Sequence, residues 1–132
     1  MSKKYYPAVM QLDEEGYYYV DFPDLDCCFT QGENFNNACF MAEDILGEWM
    51  SDHLGKEDSI PEPSSIQELR DKYPNDIIQV FGYDDVEWKK AHSKKSVIKT
   101  VSIPEWLYNL ASENKLSLSK VLQSALKEKL GV

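Results

Sequence analysis

Charge divides this chain more sharply than any other feature, and the division limits what it can fold into. Residues 1–88 carry five lysines and arginines against twenty carboxylates, a net of −15. Residues 89–132 carry nine lysines against three glutamates, a net of +6, and the two parts together make the −9 of the whole. Such asymmetry points to different partners for the two parts. The acidic part repels nucleic acid and attracts something basic. The short basic tail can neutralise phosphates and release their counterions. A chain of 132 residues holds one domain, or two if one is small. Hydrophobic residues at 42% and charged residues at 28% exclude wholesale disorder and a fibrous repeat.

No run approaches the ~18 apolar residues that span a bilayer. The opening MSKKYYPAVMQLDEEG lacks the apolar core of a signal peptide. Three cysteines cannot build a disulfide framework, so a reducing cytoplasm is the expected compartment.

Tyr5 to Gln11 reads as a strand, and Pro7, which donates no ladder hydrogen bond, argues for an edge position. Asp13 to Gly16 is a turn. From Tyr17 to Phe22 the pattern alternates, with Tyr18, Val20 and Phe22 on one face. Pro23 to Asp26 breaks it, and Cys27 to Gln31 reads as a third strand. Asn34 caps a helix whose Phe35, Ala38, Cys39, Ala42, Ile45, Leu46 and Trp49 share a face, with a stop expected near Leu54-Gly55. Residues 55–76 read as loop with one turn around Ile66–Asp71, and Ile77 to Tyr83 as a fourth strand with Ile78 and Val80 on one face. The order is β-β-β-α-β over residues 1–88, enough for one small α+β core.

Residues 84–95, DDVEWKKAHSKK, hold no apolar period, and the linker is placed at 89–95. Residues 96–132 follow as a second domain: a strand over 97–103, a helix begun by Pro104, and a second helix capped by Ser117 and ended by Gly131. In the second helix Leu118, Val121, Leu122, Ala125 and Leu126 form an apolar stripe. Strand, helix and helix in under 40 residues cannot bury a core alone, so this piece is expected to fold as a dimer.

Residues 5–50 resemble the N-terminal domain of HicB antitoxins. That family's elements stand here in order: Tyr6-Pro7-Ala8, the acidic turn Asp13–Gly16, Phe22-Pro23-Asp24-Leu25, Cys28-Phe29-Thr30-Gln31-Gly32, and the helix from Asn34. The loop Ile60-Pro61-Glu62-Pro63-Ser64 also matches. One departure is Asp26-Cys27 where proline-glycine usually stands, which predicts a differently shaped bend. Residues 99–130 resemble a ribbon-helix-helix DNA-binding module, one of two C-terminal types in HicB proteins.

The resemblance implies a type II antitoxin without enzymatic activity. Its first domain, similar to a truncated RNase H fold, would mask a HicA-like ribonuclease toxin, and its second would bind operator DNA and repress the operon as a dimer or dimer of dimers. In a ribbon-helix-helix, alternation would turn Thr100 and Ser102 to the bases and Val101 and Ile103 to the dimer core. Leu118, Val121 and Leu122 would complete that core. Lys99 would reach a phosphate, and Ser117, Ser119 and Lys120 would meet another at the helix start. Each also has a plainer reading: a strand that only dimerises, serines that only cap, and Lys89, Lys90, Lys94 and Lys95 as a solvated linker.

Asp21, Asp24 and Asp26 are the toxin-binding candidates. With Glu43 and Asp44 on the helix, they are also the carboxylates a metal-dependent RNase H-like nuclease would draw on, since that chemistry requires carboxylates converging on two metals. A solvated or toxin-complementary acidic surface is the reading favoured over it. Cys27 and Cys28, adjacent on a strand, would point to opposite faces, and His53 and His92 lie in unpatterned segments, so no metal or cofactor is expected. The remaining alternative is an orphan DNA-binding regulator without a toxin.

Overall fold

The computed structural model describes residues 3–53, 55–56 and 59–132. The chain divides into two compact units between Ser93 and Lys94.

The first unit is built on a four-stranded antiparallel sheet of β1 (Lys4–Leu12), β2 (Tyr18–Asp21), β3 (Phe29–Gly32) and β4 (Ile77–Tyr83), in the order β3-β2-β1-β4. The β1–β2 turn is held by Asp13, whose carboxylate accepts from the backbone N–H groups of Glu15 and Tyr17 and from the Tyr19 hydroxyl. Gly16 supplies the positive φ of +94°. Pro7 lies on a central strand, not an edge one. The proline is tolerated because β2 pairs only with Val9 to Leu12, so at Pro7 β1 carries a ladder on its β4 side alone.

One sheet face carries the core, where Tyr6, Ala8, Met10, Val20, Phe22 and Phe81 pack beneath α1 (Phe35–Asp52). Asn34 caps this helix through the Asn37 N–H at 2.8 Å. The helix presents Ala38, Ala42, Leu46 and Met50 to the sheet, while Phe35 is 40% exposed. The buried stripe is thus rotated from the expected one. Leu46 and Met50 are sealed, and by the usual cost of a core cavity Leu46→Ala removes about 2–5 kcal/mol. α1 ends at Asp52 with His53 as its C-cap, ahead of Gly55; Leu54, the other residue of the expected stop, lies outside the described residues. On β4 the core face belongs to Phe81 and Tyr83, and Ile78 and Val80 share the opposite one.

The third strand starts at Phe29, later than expected. Cys27 lies in the preceding turn with φ +57°, and Cys28 is buried there while Cys27 is exposed. The two cysteines are therefore not strand neighbours. The expected turn near Ile66 is a full helix, α2 (Ile66–Lys72), capped by Ser65.

Residues 89–92, expected to open the linker, belong to a further helix, α3 (Asp85–His92), which packs on the core through Trp88. A hydrophobic period is absent because a single anchor suffices. Trp88 lies against Gly47, where a Cβ would sit 2.0 Å from the indole ring. Trp88 also stacks on His92 at 3.7 Å, as Trp49 stacks on His53 in α1.

The second unit contains α4 (Glu105–Glu113) and α5 (Leu118–Leu130). Pro104 is the N-cap of α4, one position earlier than a first helical residue. Ser117 caps α5 through the Lys120 N–H, and Gly131 closes it at φ +72°. Residues 93–104 carry neither helix nor strand in the single chain, so the strand expected over 97–103 is not formed here. An isolated strand has no ladder partner within so short a unit.

Candidate functional site

In the first unit the family-like motifs act as pins. The Tyr6 hydroxyl donates to the Pro61 carbonyl at 2.6 Å, and Asp24 accepts from both the backbone N–H and the hydroxyl of Ser64. Together they fix the proline loop across the end of the sheet. Burial, then the charges of Glu62 and Asp24, raise the Tyr6 pKa, so its hydroxyl keeps the proton it donates. Leu25 is buried in the bend, and the Asp26 carbonyl accepts from the Trp49 indole at 2.9 Å.

The three aspartates therefore have separate surroundings. Asp24 is taken up by Ser64, Asp26 is exposed beyond it, and Asp21 lies on the sheet face opposite α1. That outward face carries Tyr5, Val9, Tyr19, Phe29, Ile78 and Val80. Tyr5, Tyr19 and Phe29 are 55%, 45% and 64% exposed, an aromatic surface the helix does not cover. Asp21 borders a hollow of about 300 Å³ there, with Val9, Tyr19, Phe29 and Tyr73 of the α2 end. Burial raises its carboxyl above the ordinary value. Asp21 is a candidate from the sequence, and Tyr19, alternate to Tyr18 and Val20, shares its outward face; Phe29 and Tyr73 join it only through the fold.

A second hollow, of about 280 Å³, opens between α1 and α3, lined among others by Phe40, Glu43, Asp44, Tyr83 and Trp88. It is not legible in the sequence because α3 carries no apolar period. Among the described residues no three His, Cys, Asp or Glu side chains group as metal ligands. The Cys28 thiol is pushed up to about 12 by burial and then by Asp21, and it remains a neutral core group.

In the second unit Ser117, Ser119 and Lys120 come together at the first turn of α5. The Ser117 oxygen accepts from the Lys120 N–H at 3.3 Å, and the Ser119 hydroxyl from Gln123 at 3.0 Å. Lys99, Thr100 and Ser102 lie exposed in the segment before α4. Val101, Ile103, Leu118, Val121 and Leu122 are 40–62% exposed, and no residue of 94–132 is buried. Lys89 and Lys90 pair within α3 with Asp85 and Glu87 at 3.6 and 3.4 Å. No described helix is long and apolar enough to cross a membrane.

Comparison with solved structures finds the same fold in several antitoxins. A toxin–antitoxin complex from Streptococcus pneumoniae matches with 26% identity and a TM-score of 0.56, covering 97% of this chain and 99% of that one. The antitoxin HicB of Burkholderia pseudomallei matches at 18% identity and 0.54, over 96% and 98%. The antitoxin HicB3 matches at 21% and 0.50, over 96% and 97%. No curated protein matches. The model of the HicB-like antitoxins of bacterial toxin–antitoxin systems matches residues 6–124. Its members are antitoxins and not enzymes, and the chain belongs to this family.

Proposed function

We propose that this antitoxin masks a HicA-like ribonuclease toxin with its first unit and represses its own operon by binding operator DNA with its second, in the cytoplasm. The second unit would form a ribbon-helix-helix dimer, with the whole assembling as a dimer or dimer of dimers. The observation that carries the DNA-binding half is the exposure of the second unit. Two amphipathic helices and the Val101–Ile103 segment leave every apolar residue accessible to solvent. A second copy would cover them and give the 97–103 segment the partner strand it lacks. Its charge of nine lysines against three glutamates over residues 89–132 suits a phosphate backbone.

The toxin-binding half is supported by the match to a structure described as a toxin–antitoxin complex. It also rests on an acidic first unit with an uncovered aromatic sheet face. Asp21 and Asp26 would meet a basic partner, while Asp24 holds the loop beside them. The nuclease alternative loses support because Asp24 is engaged by Ser64 and is not free to converge with Asp21.

Within the dimer Thr100 and Ser102 would read bases, and Lys99, Ser117, Ser119 and Lys120 would hold phosphates. Gel shifts on the chain's own upstream DNA and on scrambled duplexes test this. Lys120→Ala is expected to weaken both alike and to lower the salt slope by about one. Thr100→Ala with Ser102→Ala is expected to relax discrimination by about 1 kcal/mol each or less. Equal binding of both duplexes by the unmodified chain would overturn operator recognition.

A further inference from the structure

The hollow between α1 and α3 has an unusual composition for a surface depression. Phe40, Glu43, Asp44 and Gly47 fall on one helical face, and Phe40 is 66% exposed although the core makes no use of it. Carboxylates line the hollow from both helices, and no lysine or arginine does. Most of these carboxylates are already occupied. Asp84 accepts the N–H groups of Val86 and Glu87, Asp44 lies 4.0 Å from His92, and Glu87 pairs with Lys90. Glu43 has no hydrogen bond or ion pair among the described residues. Tyr83 adds an independent observation. It lines the hollow, is 5% exposed, and its hydroxyl is a buried polar group without a hydrogen-bond partner among the described residues. Such an orphan is costly unless something donates to it or accepts from it. Burial, then Asp85 and Asp84, raise its pKa, so the hydroxyl keeps its proton.

The volume, about 280 Å³, falls just under the roughly 300–1,000 Å³ of pockets that enclose whole small ligands. It suits one inserted side chain. A wall of carboxylates, an exposed lining ring and an unpartnered hydroxyl call for a planar cation with several donors, which describes a guanidinium better than an ammonium. We propose that this hollow is a socket for an arginine side chain of the basic protein partner, with Glu43 as the carboxylate that holds it and Phe40 as the ring it stacks on. The choice of occupant rests on the antitoxin reading above.

The full chain has three tryptophans, Trp49, Trp88 and Trp106, whose indole N–H signals serve as reporters in a two-dimensional NMR titration. Acetyl-arginine-amide is expected to shift the Trp88 signal saturably and leave Trp106 in place. Acetyl-citrulline-amide, the neutral isostere, should not. Glu43→Gln is expected to weaken the arginine probe about fivefold, the effect of one unit charge at roughly 4 Å in water. Glu43→Lys should abolish its binding and weaken the HicA-like toxin as well. A citrulline shift equal to that of arginine, or tighter saturation by spermidine, overturns the socket. So does full toxin affinity in Glu43→Lys. A wild-type chain that binds the arginine probe but no toxin overturns the antitoxin reading, and with it this occupant, while leaving the cation site in place.

Discussion

Cys27 holds a backbone conformation that an L-residue adopts at a cost. Its φ of +57° lies in the left-handed region, at the position where the resembling family carries glycine. Glycine adopts such a conformation without that cost. The left-handed conformation costs about 1–2 kcal/mol, and glycine's freedom when unfolded takes back about 0.5–1 kcal/mol. Cys27→Gly is thus expected to stabilise the chain by about 0.5–1 kcal/mol in urea unfolding. Asp21 makes the opposite kind of point. Burial holds its folded-state pKa above the unfolded value, so its charged form is penalised at neutral pH and both states are neutral well below the carboxylate range. Asp21→Asn should raise the urea midpoint at about pH 7 and change nothing at about pH 2, while weakening the toxin. A midpoint that falls at neutral pH would show that its charge stabilises the fold. Tyr6 and Asp24 were legible as motif residues but not as pins, because their partners Pro61 and Ser64 are 55 and 40 residues away.

At the scale of elements, local signals served at the caps of α1 and α5 and at the alternation of β2. The capping residues Asn34 and Ser117 and the alternation of Tyr18, Val20 and Phe22 all correspond to what formed. Among what they missed is an element fixed by one distant contact. α3 lacks an apolar stripe, and its place depends on Trp88 meeting the bare backbone of Gly47. Gly47→Ala would put a methyl 2.0 Å from the ring, so α3 must shift or detach at a cost of about 1–3 kcal/mol. The expected signature is a red-shifted tryptophan emission with faster amide exchange in 85–92. Combining Gly47→Ala with Trp88→Leu should recover part of the loss, since the two residues are in contact. Additive losses in the double variant would mean that the two do not communicate. The hollow beside Asp21 is not legible in the sequence because its walls come from β1, β2, β3 and the end of α2, far apart in the chain.

Across the whole molecule, the charge break near residue 88 and the structural break after Ser93 nearly coincide. The first unit carries its own core, all of it between Tyr6 and Tyr83 with Trp88 packed against it. The second has apolar faces and nothing buried, and it is this contrast that makes self-association the expected behaviour of the chain. Val101→Asp and Leu122→Asp would each leave an uncompensated charge in the proposed dimer core, a loss of about 3–5 kcal/mol. Sedimentation should then show monomers where the unmodified chain is dimeric or larger, and DNA binding should be lost in step. A wild-type chain that sediments as a monomer at micromolar concentrations would contradict the dimer. The division of labour between the units is tested most directly by calorimetric titration of the HicA-like toxin of the same operon into residues 1–93 and, separately, into residues 94–132. Residues 1–93 should bind it as the full chain does and residues 94–132 should give no heat; toxin binding retained by 94–132 and lost from 1–93 would contradict the assignment.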